Sequence, residues 1–306
     1  MIVLASHDLL VRVDPSHGAE ILDLVDLHTG RQLLGRPPFS STEPRGGDLD
    51  ELAWTAAYRG GWQVVLPNAG NACEVGGVRH GFHGRASNDP WAVVSRSAAS
   101  ATLAWEGHGL HVTRRLDVLG GGLAVSVEAT ATADGVPLVA VEHLSVGLEL
   151  LEPEVELELP GGLAYELSET DGPAERPADA RAWPESLLLA GSVERCDRWC
   201  LQEPRSRYMV VTDVPEGRAA IRNRRTGQGL ELRWDVDWLR HLWLWHEART
   251  YAGPWRRQAE ILAIEPASVP HGLGLAEAIR HGQAMTLRDG ETVGYRLTVR
   301  PTRASG

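Results

Sequence analysis

Apolar and polar residues alternate with a period of two through much of the chain. Residues 123–127 and 155–159 show the pattern clearly, with Leu or Val at every second position. Successive side chains of a β-strand point to opposite faces, so this alternation predicts strands that are buried on one face.

Two further segments extend the β-strand prediction. Residues 219–225 and 230–234 flank the glycine-containing stretch 226–229, which is typical of a hairpin turn. Apolar residues at 295, 297 and 299 follow the turn Asp289-Gly290 and predict the last strand.

Only two stretches have helical character. The first is predicted to begin at Asp48, with Glu51 three residues later as in a capping box, and to end at Gly60-Gly61. The second runs from Leu275 to Arg280 and stops at His281-Gly282.

The acidic, proline-containing stretch 168–185 is predicted to be a surface loop within the sheet framework. No repeat of the kind that marks a propeller or solenoid is visible. The sequence therefore predicts an all-β chain, a large antiparallel β-sandwich with one or two short helices, formed as a single domain over residues 1–306.

The charge excludes several classes of partner. A formal net charge of -11 argues against nucleic acid and anionic lipid surfaces and favours a neutral ligand. No signal peptide or membrane-spanning stretch is apparent. Cys73, Cys196 and Cys200 have no metal-finger spacing, which suits a reducing compartment. We therefore predict a cytoplasmic protein, monomeric or homodimeric.

Candidate ligand-binding residues cluster between residues 60 and 85. Asn68, Arg79, His80, His83 and Arg85 lie among many glycines, which allow backbone to approach a small ligand closely. A plain glycine-rich loop with surface histidines explains the composition equally well. The histidine spacing lacks a third ligand at a characteristic interval, so no metal is predicted.

Two polar residues interrupt otherwise apolar strands. His143 lies within the apolar stretch 137–147, and Glu265 follows Ile261-Leu262-Ala263-Ile264 and precedes Pro266. A carboxylate buried there needs a hydrogen-bond donor or a raised pKa. Either residue alone is more often structural, so a functional role depends on their coming together.

Tryptophan is unusually frequent, with 11 residues against 2 phenylalanines. Trp243 and Trp245 are two positions apart, so both point to one face of a strand. Indole faces suit the C–H-rich faces of sugar rings, and they also serve as ordinary core packing. The pair predicts either a sugar platform or a core.

The order and spacing of several short motifs resemble the aldose 1-epimerase (galactose mutarotase-like) superfamily, particularly its divergent bacterial branches. The motifs are Pro67-Asn68 after Gly-Gly-Trp-Gln, His83-Gly84-Arg85 followed by Pro90-Trp91, His143, Asp197 and Glu265-Pro266. The resemblance spans nearly the whole chain. It implies a β-supersandwich that isomerises free sugars at the anomeric carbon without a cofactor.

The resemblance also implies roles for individual residues. Glu265 corresponds to the general base, His143 to the general acid and His83 to a second histidine that positions the sugar. Asp197 corresponds to a carboxylate that accepts sugar hydroxyls. Ala69 stands where the family commonly has an arginine, and Arg85 or Arg79 is the candidate replacement.

Three functions follow as hypotheses. The first is a mutarotase for a neutral aldose, in which Glu265 and His143 open and close the ring by proton transfer. The second is a mutarotase for an anionic sugar, suggested by Arg79 and Arg85. The third is a carbohydrate-binding protein of the same fold without catalysis.

Overall fold

The computed structural model describes residues 1–39, 46–151, 154–168, 171–200 and 204–303. About half of the described residues lie in β-strands. The strands are β1 (Ile2–Ala5), β2 (Leu9–Asp14), β3 (Glu20–Asp26), β4 (Arg31–Gln32), β5 (Trp62–Val65), β6 (Cys73–Val75), β7 (Val78–His80), β8 (Ala92–Arg96), β9 (Ser100–Gly107), β10 (Leu110–Leu119), β11 (Gly122–Ala131), β12 (Val136–Leu138), β13 (Val141–Val146), β14 (Glu154–Glu158), β15 (Leu163–Leu167), β16 (Arg181–Ala182), β17 (Glu185–Leu187), β18 (Val193–Arg195), β19 (Arg198–Cys200), β20 (Arg205–Thr212), β21 (Arg218–Asn223), β22 (Gly229–Trp234), β23 (His241–Ala248), β24 (Glu260–Ala267), β25 (Met285–Leu287) and β26 (Thr292–Thr302).

Two large sheets dominate the described residues. The first sheet has the order β1-β2-β3-β5-β13-β24-β23-β20-β15-β17-β18, with β4 beside β3 and β16 beside β15. The second has the order β19-β14-β21-β22-β26-β11-β10-β9-β8. Their strands pair antiparallel, except that β15 and β17 pair in parallel. The all-β prediction is confirmed, including the hairpin of β21 and β22 and the final strand β26.

The helices are short, namely α1 (Glu51–Ala57), α2 (Leu148–Leu151) and α3 (Leu275–Arg280), with a 3₁₀ turn at Arg85–Ser87. Within the described ranges, none is long and apolar enough to cross a membrane. α3 agrees with its prediction, whereas α2 was not predicted.

The predicted start of α1 is wrong. The N-cap is Asp50, whose side chain accepts the N–H of Ala53 at 2.7 Å. Asp48 instead accepts the N–H of Gly81 at 3.0 Å. It therefore links the segment that precedes α1 to the loop that follows β7.

The predicted loop over residues 168–185 contains the short strand β16 and reaches the first residue of β17. Its residues 169 and 170 lie outside the described residues.

The central strands of the first sheet are buried on both faces. One face, which includes Leu144, Leu244 and Ile264, packs against the second sheet. The opposite face, which includes Val141 and Trp243, is covered by loop residues and α3. Alternation predicted strands with one buried face, and these strands differ because the long connections fold over their second face.

A buried ion pair joins the two sheets. Glu142 on β13 accepts hydrogen bonds from Trp62 at 2.6 Å, from Arg114 at 3.1 Å and from the Tyr295 hydroxyl at 3.0 Å. The Arg114 guanidinium also donates to the carbonyl of Ala19. Both charged side chains are 0% exposed. Burial raises the pKa of Glu142, and Arg114 opposes that rise.

Replacement of Arg114 by Met should strongly destabilise the protein, because it leaves the Glu142 carboxylate buried without its cation. Breaking one side of a buried pair typically costs about 3–5 kcal/mol of unfolding free energy. Arg115→Met is the matched control, because Arg115 pairs with Asp117 at the surface, where about 1 kcal/mol or less is expected. Urea unfolding measures both values, and an equally small loss in the two variants would contradict the importance of the buried pair.

Candidate active site

A cavity of about 340 Å³ lies over the covered face of the first sheet. Its size falls in the range of small-molecule sites. The strands contribute a floor that includes His143, Glu265, Trp243 and Trp245. The walls include Glu51, Trp54, His83, Glu247, Tyr251 and Trp255.

The sheet register brings His143 and Glu265 together. β13 and β24 are neighbours, and the partners on either side of these residues place them opposite each other. β24 in turn pairs Glu265 directly with Trp243 on β23. Nε2 of His143 lies 3.6 Å from Oε1 of Glu265, and each side chain is 3% exposed. An imidazole and a carboxylate thus share one buried position at the cavity floor.

Burial lowers the pKa of His143 to about 4. The ring packs edge-on against Tyr58 and Trp245, with centroids 5.4 and 6.0 Å away. Its Nδ1 has no hydrogen-bond partner among the described residues. At neutral pH the imidazole of the free site is therefore neutral, with Nε2 on the side of Glu265.

His83 enters the cavity from a loop. Its φ of 57° lies in the left-handed region, which bulky residues adopt at a cost and which marks a constrained turn. Nδ1 of His83 accepts the N–H of Gly70 at 3.1 Å, so the proton of the neutral ring lies on Nε2. Burial, reinforced by His143, lowers the pKa of His83 well below its usual value.

Asn68 stabilises the loop that carries His83 through hydrogen bonds outside the cavity. Its amide donates to the carbonyls of Asn71 and Gly81, and its oxygen accepts the N–H of Leu275 at 2.6 Å. Asn68 is fully buried and does not line the cavity. Its placement supports a loop-positioning role instead of the predicted sugar contact.

Gly70 is required at the cavity edge. A Cβ built there would lie 1.7 Å from the carbonyl oxygen of Gly272, and the φ of Gly70 is +77°. The two backbones approach closely enough that Asn71 donates its N–H to the same carbonyl. Only glycine lets the loop that carries His83 meet the segment before α3.

Trp243 and Trp245 both line the cavity, as the predicted platform requires. Trp243 is nearly fully buried and its indole N–H donates to the carbonyl of Val269 at 2.8 Å. Trp245 is partly exposed and packs near Trp255, with ring centroids 5.8 Å apart. The two residues therefore differ, since Trp243 also serves as core.

Sequence reasoning missed two carboxylates of the cavity. Glu247 lies two residues after Trp245, on the same face of β23, so period-two alternation could have identified it. Its carboxylate accepts the N–H groups of Thr250 and Tyr251, which holds the turn that carries Tyr251 over the cavity. Glu51 lies in the first turn of α1, and no comparable sequence pattern identified it as a cavity residue.

Four predicted binding residues lie elsewhere. Asp197 is held by a bidentate contact from Arg195. Arg85 pairs with Asp89, Arg79 is exposed on β7, and His80 stacks on another histidine. These side chains do not line the cavity; the first two are engaged by nearby ion-pair partners. The predicted sugar contacts of all four therefore lack geometric support.

The fold has close counterparts among solved structures. The Slr1438 protein from Synechocystis sp. PCC 6803 aligns with a TM-score of 0.71 and 15% identity, over 99% of this chain and 95% of its own. A galactose mutarotase-like protein from Lactobacillus casei ATCC 334 aligns with a TM-score of 0.68 and 15% identity, over 99% and 100%. A galactose mutarotase related enzyme from Lactobacillus acidophilus aligns with a TM-score of 0.67 and 12% identity, over 99% and 98%.

These alignments establish a galactose mutarotase-like β-supersandwich and confirm the fold that the resemblance implied. Identities of 12–15% show the fold and leave the activity to the site. No family model and no curated protein matches the chain.

The contacts of His83 give an expected protonation state. Its folded-state pKa lies below the usual 6.5, so the neutral ring stabilises the fold above that pH, and this contribution is lost as the pH falls. We expect ¹⁵N NMR to show a proton on Nε2 and a titration midpoint of the ring well below that of a free imidazole. A proton on Nδ1, or a midpoint near 6.5, would contradict the hydrogen bond from Gly70.

Proposed function

We propose that this protein is a cofactor-independent aldose 1-epimerase that interconverts the α and β anomers of a free, neutral aldose. The observation that supports this function best is the contact of His143 with Glu265 at the floor of an aromatic cavity. Mutarotation needs one acid and one base at a single carbon, and this pair supplies both.

Ring opening consists of two proton transfers. Glu265 removes the proton from the hydroxyl on C1 while Nε2 of His143 gives a proton to the ring oxygen. The bond between C1 and the ring oxygen breaks, and its electron pair leaves on that oxygen. The C1 oxygen forms the carbonyl of the open-chain aldehyde. After rotation about the C1–C2 bond, the reverse transfers close the ring on the other face of the aldehyde.

The short distance between the two groups fits this chemistry. The C1 hydroxyl oxygen and the ring oxygen are bonded to the same carbon, so an acid and a base that serve both must be neighbours. A separation of 3.6 Å between Nε2 and Oε1 meets that requirement. The reaction consists of proton transfers alone, so no step calls for a metal or a nucleotide.

For the reaction, the His143–Glu265 pair must carry one proton that can be transferred to the sugar. Burial lowers the pKa of His143 to about 4, which opposes the protonated ring. An ionised Glu265 beside Nε2 favours that proton. The acid function therefore depends on groups that stabilise the imidazolium against its burial.

The cavity lining favours a neutral sugar. Its charged side chains, within the described ranges, are the carboxylates Glu51, Glu247 and Glu265. The described lining residues include no arginine to face these carboxylates, so a phosphate or carboxylate group would meet like charge there, which is unfavourable at low dielectric. Arg79 and Arg85, which motivated an anionic substrate, lie outside the lining. Trp245 and Tyr251 offer apolar faces to the sugar ring.

We place the activity in the cytoplasm. Cys73 and Cys196 are free thiols, as is usual in a reducing compartment.

Anomer exchange measured by NMR tests the function. We expect the protein to accelerate exchange of at least one neutral hexose or pentose above the buffer rate, and sugar phosphates to be poorer substrates. Glu265→Gln should lower the rate about 100-fold or more, because one positioned proton transfer is typically worth that factor.

Glu106→Gln is the matched control, since Glu106 is an exposed residue of the second sheet and should leave the rate unchanged. Circular dichroism checks that both variants fold. Binding of a sugar by calorimetry without any acceleration of exchange would favour a carbohydrate-binding protein and contradict the enzyme.

A further inference from the structure

A row of polar side chains crosses five neighbouring strands of the first sheet. Asp14 on β2 pairs with Glu20 on β3, and Gln63 on β5 pairs with His143 on β13. The register of β3 with β5 places Glu20 beside Gln63, and Glu265 follows on β24. These five residues, the polar row, lie on the cavity side of the sheet and are all buried.

The outer half of the polar row is held by an ion-pair network. Arg59 donates to Asp14 at 2.9 Å and to Glu20 at 2.9 Å. The Gln63 amide nitrogen donates to Glu20 at 3.3 Å. An amide whose nitrogen points to Glu20 on β3 leaves its oxygen on the side of β13, where His143 lies.

The junction between the two halves contains two unpaired atoms. Oε1 of Gln63 and Nδ1 of His143 are both buried, and neither has a hydrogen-bond partner in the described part of the chain. They belong to side chains at directly paired positions of adjacent strands. One is an acceptor, and the other is a donor when protonated. Buried polar groups rarely stay unpaired when a complementary group is adjacent.

We propose that Gln63 is the positioning residue for His143, accepting a hydrogen bond from Nδ1–H at its amide oxygen. Glu20 fixes the amide from the other side, so the contact sets both the ring orientation and the site of its proton. Nε2 is thereby held toward Glu265 and the cavity. The catalytic consequence rests on the function proposed above, whereas the contact itself does not.

The contact also supplies the stabilisation that the acid step needs. Among the described residues, the titratable groups that face His143 are Glu265 from β24, His83 from its loop and Tyr58 from the end of α1. In the free site burial is the largest effect and lowers the pKa of His143 to about 4, against a smaller opposing effect of a contact between the ring and its own backbone. A hydrogen bond from Nδ1 favours the imidazolium and moves the pKa upward.

Glu20 lies behind Gln63 and affects the ring through the amide. Burial raises the pKa of Glu20 to about 7, against the opposing effect of Arg59. Its oxygen can accept from the Gln63 amide in either protonation state, so the amide orientation persists across this titration.

The first experiment reads the imidazole directly by ¹⁵N NMR in the full-length protein, without a sugar. We expect the wild-type His143 to carry its proton on Nδ1 and Gln63→Leu to abolish that preference and lower the ring pKa. Gln63→Glu keeps an acceptor and adds charge, so it should restore the Nδ1 proton and raise the pKa. Gln63→Met replaces the leucine variant if the latter does not fold.

The second experiment measures anomer exchange. We expect Gln63→Leu to lower kcat by about tenfold or more with little change in KM, because it misorients a ring whose positioned proton transfer is typically worth about 10²- to 10⁴-fold. Its pH profile should shift to lower pH, and that of Gln63→Glu to higher pH. A purely structural role would lower the rate equally at all pH values.

Gln228→Leu is the matched control, because Gln228 also has a buried Oε1 without a hydrogen-bond partner among the described residues but lies in the hairpin between β21 and β22. Identical His143 spectra in wild type and Gln63→Leu would overturn the proposal, as would equal effects of the two leucine variants. If the wild type shows the Nδ1 proton but exchanges no sugar, the contact stands and the proposed function fails.

Discussion

Glu142 and Arg114 meet in the core between the two sheets, and the site depends on where that contact holds β13. Three donors from β5, β10 and β26 converge on one carboxylate, so the middle of β13 is fixed to both sheets. His143 is the next residue along the strand. Because successive side chains alternate, an inward Glu142 requires an outward His143. The structural carboxylate thereby aims the imidazole at the cavity.

The loops that cover the outer face of the first sheet determine the electrostatic properties of the cavity. Loops around Asn68 and the turn held by Glu247 exclude water from strands that an ordinary sandwich would leave half exposed. Exclusion of water lowers the pKa values of His143 and His83 and strengthens every remaining electrostatic contact. The same burial makes a protonated His143 costly. An acid at this position therefore needs dedicated partners, which Glu265 and Gln63 are placed to provide.

Local sequence patterns were sufficient for the elements but not for every site residue. Alternation located β11, β14 and the hairpin of β21 and β22, because each is specified by its own residues. His143 and Glu265 were recognised by their apolar surroundings and by family order. Their contact, however, depends on β24 pairing beside β13, a register between segments more than 100 residues apart that tertiary packing sets.

Two of the binding assignments that lack geometric support, those of Asp197 and Arg85, share one physical cause. Arg195 lies two residues from Asp197, and Asp89 lies four residues from Arg85. A charged group with such a close partner is neutralised locally. The sequence does not reveal whether the side chain pairs with this neighbour or binds a ligand. Asp48 shows the same ambiguity, since it caps a loop amide while Asp50 caps the helix.

A crystal structure with a bound aldopyranose tests the central claim most directly, because it shows which atoms of the sugar meet the His143–Glu265 pair. We expect the C1 hydroxyl oxygen within hydrogen-bond distance of the Glu265 carboxylate and the ring oxygen within that distance of Nε2 of His143. A sugar bound with C1 directed away from both side chains, or bound outside this cavity, would contradict the assignment of acid and base.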